Sequence, residues 1–251
     1  MMYRLTFSGD EDLLDVVLPL LPAGVHTDGD DLVAFSGAPF APAVVQATDG
    51  VVDEVPADWR QRQVSAGVVI SGVVSIRSPF ERASDAPIDV VVERRGSAFG
   101  SGSHPTTQMC VALLLELEPS GGVADLGCGV GTLAIVAAKL GWAPVVGVDR
   151  VPVAIEVGRE NVARNGVNVE LAVSDLATDA PPLAEVLLVN APPPVHERVA
   201  AAITEQVRHV IVSGIVSHEV EDVVERYGER GFKVAKALGT EDEWIALRLS
   251  C

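Results

Sequence analysis

The chain has 251 residues, a formal net charge of −17 at pH 7, 48% hydrophobic residues and 4% aromatic residues. This length and apolar content allow a sizeable core, so the composition excludes a disordered chain. The negative charge and the few aromatic residues disfavour direct nucleic-acid binding, whereas the charge suits a basic protein partner or, alternatively, solubility alone.

The three cysteines, Cys110, Cys128 and Cys251, lie far apart and lack the spacing of a metal site. We therefore expect reduced thiols and no bound metal. The first residues lack the basic and apolar segments of a signal peptide, and no apolar run reaches membrane-spanning length. The sequence predicts a soluble cytoplasmic protein without membrane contact.

Residues 1–55 predict a small acidic α+β domain. YRLTFSG is typical of a strand, and DEDLLDVVLPLL of an amphipathic helix with acidic residues at its start. HTDGDDLVAFSG, with its Asp-Gly turn signal, is typical of a hairpin or a strand. Only Arg4 and Arg60 oppose the many carboxylates of the first 60 residues. This concentration of acidic residues favours recognition of a basic protein.

Two further segments follow this domain. Residues 56–95 predict a linker with the strands GVVISGVVSIR and IDVVVE, the alternative being an extra layer that packs on the next domain. Residues 96–251 alternate β-branched and helical segments, which is typical of a doubly wound, mostly parallel sheet. The last two strands, KVAKALG and EWIALRLS, follow each other directly and predict an antiparallel hairpin at its edge. The predicted fold class is α/β: a Rossmann-like, seven-stranded sheet with a small N-terminal α+β domain.

The segment ADLGCGVG follows an apolar strand and opens a helix, the setting in which glycines let a ligand approach the backbone. Its glycines, Gly127, Gly129 and Gly131, have the spacing G-x-G-x-G, and Thr132 stands where the dinucleotide fingerprint has its last glycine. Asp125 precedes the first glycine by two residues, where its carboxylate would repel a pyrophosphate but suit an ammonium group. The pattern favours S-adenosylmethionine over NAD.

Polar residues also end the next three strands. Asp149 ends VVGVD, where a carboxylate accepts hydrogen bonds from a ribose diol. The following strand ends in VSD, where Asp175 or Ser174 can face the adenine edge. Asn190 ends LLVN and lies where a substrate amine would pass. The alternatives are structural: a helix cap or turn for Asp175, and a rigid turn before the next helix for Asn190 and its prolines.

A second glycine-rich turn, AFGSGSHPTT, lies just before this region. Gly100 and Gly102 allow a flexible turn, and Pro105 after His104 predicts a helix start with Thr106 and Thr107 in its first turn. The free amides of that turn suit a carboxylate. We predict that the two turns clasp one small zwitterionic ligand, the alternative being an ordinary connecting loop.

The chain resembles the ribosomal protein L11 methyltransferase family in the segments AFGSGSHPTT, DLGCGVGTLAI, GVD, RENVARNGV and SGI. The resemblance extends to nearly the whole chain through ADWRQRQ, SPFE and EWIALRL, and it is weakest in the first 50 residues. The resemblance implies a class I S-adenosylmethionine-dependent methyltransferase whose small N-terminal domain recognises a basic ribosomal large-subunit protein and which methylates lysine side chains and the N-terminal amine. The implied cofactor contacts are Phe99, Gly100, Gly102, His104, Thr106, Thr107, Asp125, Gly127, Gly129, Asp149 and Asn190.

The chain departs from the family on the substrate side. It has Asn190-Ala191-Pro192 where the family usually has Asn-Ile-Leu or Asn-Leu, and it lacks the Pro-Gly-Gly turn before the fifth strand. No dedicated base is evident, so we expect catalysis by positioning and desolvation, with Asn190 guiding the amine and acting as the predicted catalytic residue. We expect a monomer.

Three other functions remain open from the sequence. The altered loop after Asn190 motivates a methyltransferase for another protein or a small amine. A module that binds the cofactor without turnover would keep the same motifs. An NAD-dependent oxidoreductase is disfavoured by Asp125 and Thr132.

Overall fold

The computed structural model describes residues 2–9, 13, 16–17, 20–21, 25–28, 31–36, 38–55, 67–79, 81–93, 102–241 and 243–251. The chain forms two compact units, residues 1–64 and residues 65–251. The predicted functional division into residues 1–55, 56–95 and 96–251 stays a prediction.

The first unit contains an antiparallel sheet in the order β2-β3-β1-β4, formed by β1 (Met2–Phe7), β2 (Val25–Asp28), β3 (Asp31–Ser36) and β4 (Val51–Val55). The predicted first strand and hairpin are confirmed, because β2 and β3 pair antiparallel with Asp28 opposite Asp31. The short helix α1 (Pro42–Thr48) and β4 were not predicted. The predicted helix DEDLLDVVLPLL falls largely outside the described residues.

The second unit begins with a three-stranded sheet of β5 (Val68–Ile70), β6 (Val74–Arg77) and β7 (Ile88–Val91). The prediction of one continuous strand over GVVISGVVSIR is wrong. The chain turns at Ser71 and Gly72, whose φ angles of 51° and 68° lie in the left-handed region, so that β5 and β6 pair as a hairpin. Two residues with positive φ between antiparallel strands match the tight turn that a Ser-Gly pair permits.

The main sheet has seven strands in the order β10-β9-β8-β11-β12-β14-β13. They are β8 (Val123–Leu126), β9 (Val145–Asp149), β10 (Glu170–Val173), β11 (Val186–Asn190), β12 (His209–Val216), β13 (Lys233–Gly239) and β14 (Trp244–Ser250). The first five are parallel and β14 runs antiparallel to both neighbours. The predicted seven-stranded, mostly parallel sheet and its terminal hairpin are confirmed, with β13 at the edge.

In the described part of the second unit, five α-helices accompany the sheet: α2 (Pro105–Leu114), α3 (Thr132–Lys139), α4 (Pro152–Asn165), α5 (Pro193–Ala202) and α6 (Val220–Gly228). The buried side chains of α2 and α3 share one core cluster with β5–β7, and those of α5 and α6 share a second. Both faces of the sheet are therefore covered, as parallel strands rich in Val, Ile and Leu require.

The strand order places a topological switch point between β8 and β11. From β8 the chain moves outward through β9 to β10, then crosses back to β11 and moves the other way to β12. In open α/β sheets, ligands bind in the crevice at the carboxyl ends of the strands beside such a point. Asp125 on β8 lies directly beside Leu188 on β11 in the register of the sheet.

Candidate active site

The first glycine-rich turn connects β8 to α3 through residues 127–131. Gly127, Gly129 and Gly131 have φ angles of 84°, 54° and 82°, which side chains rarely adopt. The N–H groups of Gly127 and Cys128 donate to the carbonyl of Val148 at 2.8 and 2.9 Å, which ties the turn to β9. The backbone of this turn is therefore held in place, and three of its five residues carry no side chain that would keep a ligand away.

Asp149 at the end of β9 also holds this turn. Its Oδ2 accepts the N–H of Gly129 at 2.8 Å, and its Oδ1 accepts the N–H of Val151 at 2.9 Å. A carboxylate oxygen can accept two hydrogen bonds, so each oxygen of Asp149 can also accept a hydrogen bond from a hydroxyl group. The carboxylate thus joins the glycine turn to the predicted ribose position.

Asp125 lies beneath the turn and is 1% exposed. Its Oδ2 accepts the N–H of Ala134, in the first turn of α3, at 3.0 Å. Burial raises its pKa to about 7; the hydrogen bond from Ala134 opposes the rise, and repulsion from Asp149 adds to it. Because this pKa is close to neutral pH, a cation bound nearby would shift Asp125 to its carboxylate form.

The described part of the second glycine-rich turn, residues 102–104, leads into α2, which starts at Pro105 as predicted. His104 is the N-cap of this helix, and its Nδ1 accepts the N–H of Thr106 at 3.3 Å and lies 2.7 Å from the Thr106 hydroxyl. Gly102 is buried with a φ of 82° against Ile76 of β6. Thr107 is buried, and its N–H donates to the carbonyl of His104 at 3.1 Å.

Asn190 connects the end of β11 to the start of α2. Its Nδ2 donates to the hydroxyl of Thr106 at 3.2 Å, so that the end of β11 meets the start of α2. The ring of His104 packs edge-on against Trp244 at the start of β14, with 5.2 Å between ring centroids. One contact network therefore contains Asn190, Thr106 and His104. Trp244 of β14 contacts this network through the ring of His104.

The other predicted residues differ in their placement. Phe99 and Gly100 lie outside the described residues. Asp175 follows β10 and shapes a turn: its Oδ1 accepts the N–H of Ala177 at 2.9 Å and its own N–H donates to Asp179 at 3.0 Å. Its predicted contact with adenine stays a prediction, as do the predicted roles of all the other site residues.

Sequence reasoning missed His196 and Trp244. His196 lies on α5 and is fully buried with Val199 and Ala200, in the i, i+3, i+4 pattern of a helix face that packs on a core. That spacing was available in the sequence, but nothing local links His196 to the loop after Asn190. The contact between Trp244 and His104 joins residues distant in sequence.

Within the described ranges, no group of three or more His, Cys, Asp or Glu side chains is arranged to hold a metal ion. No described helix has both the length and the apolar character needed to cross a bilayer. Cys110, Cys128 and Cys251 are all free thiols, the first two buried.

Comparison with known proteins gives a consistent set of matches. A family model described as "Ribosomal protein L11 methyltransferase (PrmA)" matches residues 57–250. Curated proteins named ribosomal protein L11 methyltransferase match from Geobacter sulfurreducens, with 38% identity over 87% of this chain and 73% of the relative, and from Thermotoga neapolitana, with 35% identity over 78% and 76%.

Among solved structures, the crystal structure of a ribosomal protein L11 methylase from Lactobacillus delbrueckii subsp. bulgaricus matches with a TM-score of 0.63. The match covers 74% of this chain and 98% of that one at 24% identity, so it supports the fold alone. The segment matched by the family model includes both glycine-rich turns, Asp149 and Asn190.

Proposed function

Since the chain belongs to the ribosomal protein L11 methyltransferase family, we propose that it transfers methyl groups from S-adenosylmethionine to amino groups of ribosomal protein L11, on lysine side chains and the N-terminal amine. One observation carries the proposal: the network of Asn190, Thr106 and His104 lies at the carboxyl ends of the strands where the glycine turn also opens.

The residues of the crevice fit S-adenosylmethionine. The three glycines leave the backbone without side chains beside Asp149, whose oxygens suit a ribose diol. Asp125 suits the cationic end of the ligand, because a nearby positive charge would stabilise the ionised form of this buried carboxyl group. The positive end of the α2 dipole suits the ligand's carboxylate. The expectation of free amides in this turn is wrong, because Thr106, Thr107 and Gln108 donate their N–H groups to His104. When bound, the cofactor supplies the methyl group of its sulfonium.

The chain's own residues then position the acceptor. A lysine amine must be neutral and in line with the methyl group, so the site has to desolvate it and hold it at the right distance. Asn190 donates its Nδ2 to Thr106, which leaves Oδ1 as the acceptor that orients an N–H of the amine. The amine loses its proton before attack, and that proton goes to water.

The net charge of −17 supports a basic protein substrate. We propose that the acidic segment at residues 1–55 contributes to its recognition, that the enzyme is a cytoplasmic monomer, and that it binds no nucleic acid directly. Methylation measured below saturation should therefore slow as salt rises from 50 to 300 mM, because screening weakens the encounter of opposite charges.

The test is incubation of the purified protein with labelled S-adenosylmethionine and either purified L11 or a ribosomal extract. We expect one labelled large-subunit band, with mass spectrometry placing the methyl groups on lysines and the N-terminal amine. We expect Asn190→Ala to lose most of the transfer, and wild-type turnover in this variant would remove the proposed role of Asn190. Label on a different protein or a small amine would replace L11 as the substrate. Tight binding of the cofactor without transfer to any component would favour a module without turnover.

A further inference from the structure

The buried imidazole of His196 bridges two backbone carbonyls beside the candidate active site. Its Nε2 lies 2.9 Å from the carbonyl oxygen of Ala191 and 3.0 Å from that of Ser213. A carbonyl only accepts hydrogen bonds, so Nε2 carries the proton and donates to both. Nδ1 then accepts from the hydroxyl of Tyr227 on α6, 3.2 Å away.

The environment keeps this ring neutral. His196 and Tyr227 are both fully buried, and burial lowers the pKa of His196 to about 4. The ring is shielded from solvent and substrate and is neutral at pH 7. Its contribution must therefore come from what it holds in place.

His196 holds the backbone that immediately follows Asn190. Asn190 pairs with Ser213 in the register of β11 and β12, and Ala191 donates its N–H to the Ser213 carbonyl at 3.0 Å. Gly214, with a φ of 78°, lies so close that an added Cβ would come within 2.6 Å of the Ala191 nitrogen. The Ala191 peptide is thus fixed by β12 on one side and by His196 on the other.

This arrangement bears directly on the chemistry. Asn190 reaches Thr106 across 3.2 Å, and its orientation depends on how rigidly the end of β11 is held. Displacements near 1 Å cost about 100-fold in rate when reacting groups must be aligned. Resting on the proposed function, we propose that His196 is a positioning residue that fixes the peptide after Asn190 and so sets the orientation of the Asn190 side chain for methyl transfer.

The test compares His196→Leu with His196→Gln and with Val199→Ala. Leucine removes both hydrogen bonds of Nε2, whereas the side-chain amide of glutamine can donate to the same carbonyls. Val199 is fully buried on the same helix, so its truncation loosens the packing of α5 without touching the bridge. Tyr227→Phe, which removes only the hydroxyl donor, serves if the leucine variant fails to fold.

We expect kcat on L11 to fall at least about tenfold in His196→Leu, with the affinity for S-adenosylhomocysteine within about twofold of wild type. His196→Gln should recover part of kcat, and Val199→Ala should keep it near wild type. Tyr227→Phe should lower kcat less than His196→Leu. A folded His196→Leu enzyme with wild-type kcat, or an equal loss in Val199→Ala, would overturn the proposal.

A second measurement does not depend on the substrate. The side-chain amide of Asn190, assigned in the ¹⁵N–¹H spectrum by its loss in Asn190→Ala, should shift or broaden in His196→Leu and stay in place in Val199→Ala. If wild type fails to methylate L11 while this signal moves as expected, the proposed substrate is wrong and the positioning role stands. An unmoved signal refutes the positioning role whatever the substrate.

Discussion

The side-chain amide of Asn190 donates to the hydroxyl of Thr106 at 3.2 Å, across 84 residues of sequence. The same hydroxyl lies 2.7 Å from Nδ1 of His104, which caps α2. One threonine oxygen therefore connects the strand that ends at the proposed acceptor site with the helix that begins at the proposed cofactor site. Disturbing it should affect methyl transfer more than folding.

Thr106→Val tests this link, because valine keeps the shape of threonine and removes the hydroxyl. We expect kcat to fall about tenfold or more, since Asn190 loses its partner and turns away from the acceptor. Thr204→Val, at an exposed threonine after α5, is the matched control and should leave turnover unchanged. Equal rates for both variants in a steady-state methylation assay would contradict the prediction.

Asp149→Asn should weaken cofactor binding about tenfold, because the neutral amide offers only one acceptor where Gly129 and Val151 need two. Calorimetric titration with S-adenosylhomocysteine measures the effect. Asp175→Asn makes the same chemical change at the end of β10 and tests the predicted adenine contact. Affinity unchanged in Asp175→Asn would remove that residue from the site, and affinity unchanged in Asp149→Asn would remove the predicted ribose contact.

The affinity for S-adenosylmethionine should rise as pH rises towards 7 and level off above it. The pKa of Asp125 is about 7 in the unliganded protein, well above the ordinary value for aspartate, so below pH 7 the group is mostly protonated. A cation bound beside it favours the carboxylate, and binding below pH 7 therefore releases a proton.

Titrations between pH 5.5 and 8.5, in buffers of different ionisation enthalpy, measure both the affinity and the proton release. Asp125→Asn should abolish the slope, since an amide does not titrate. A slope that persists in this variant would assign the titration to another group. The same shift means that ionisation of Asp125 destabilises the unliganded fold as pH rises from about 4 to 7.

Gly102→Ala should destabilise the turn before α2 and weaken cofactor binding. Its φ of 82° is unfavourable for alanine by about 1–2 kcal/mol, and the new methyl group would overlap Ile76 on β6. Gly72→Ala is the matched control, because Gly72 has a φ of 68° and open space around its Cα. Thermal unfolding should show a larger loss for Gly102→Ala, and equal losses would exclude the contact with Ile76.

Much of the fold and site followed from local sequence signals. ADLGCGVG predicts a strand, a glycine turn and a helix in direct succession, and the structure has them as β8, residues 127–131 and α3. His-Pro-Thr predicts a helix start, and His104 is the N-cap of α2. The predicted family is confirmed by the match over residues 57–250. These signals work because each depends on backbone conformations that neighbouring residues determine themselves.

The errors and omissions have nonlocal or weak causes. GVVISGVVSIR looked like one strand because its β-branched residues continue past Ser71 and Gly72, where the hairpin turns. The helix α1 has only seven residues, too few for a clear helical period. The bridge from His196 to the carbonyls of Ala191 and Ser213 joins three elements, so no window of sequence contains it.

The amino-acid order by itself determined the alternation of strands and helices, the two glycine turns and the acidic and amide residues that end successive strands. It did so because hydrophobic period, glycine and proline act within a few residues. Only the tertiary structure decided that Asn190 meets Thr106, that Asp149 holds Gly129 and that His196 holds the peptide after Asn190. Those contacts arise when parallel strands align their carboxyl ends and helices pack over them, which brings together side chains that the sequence separates.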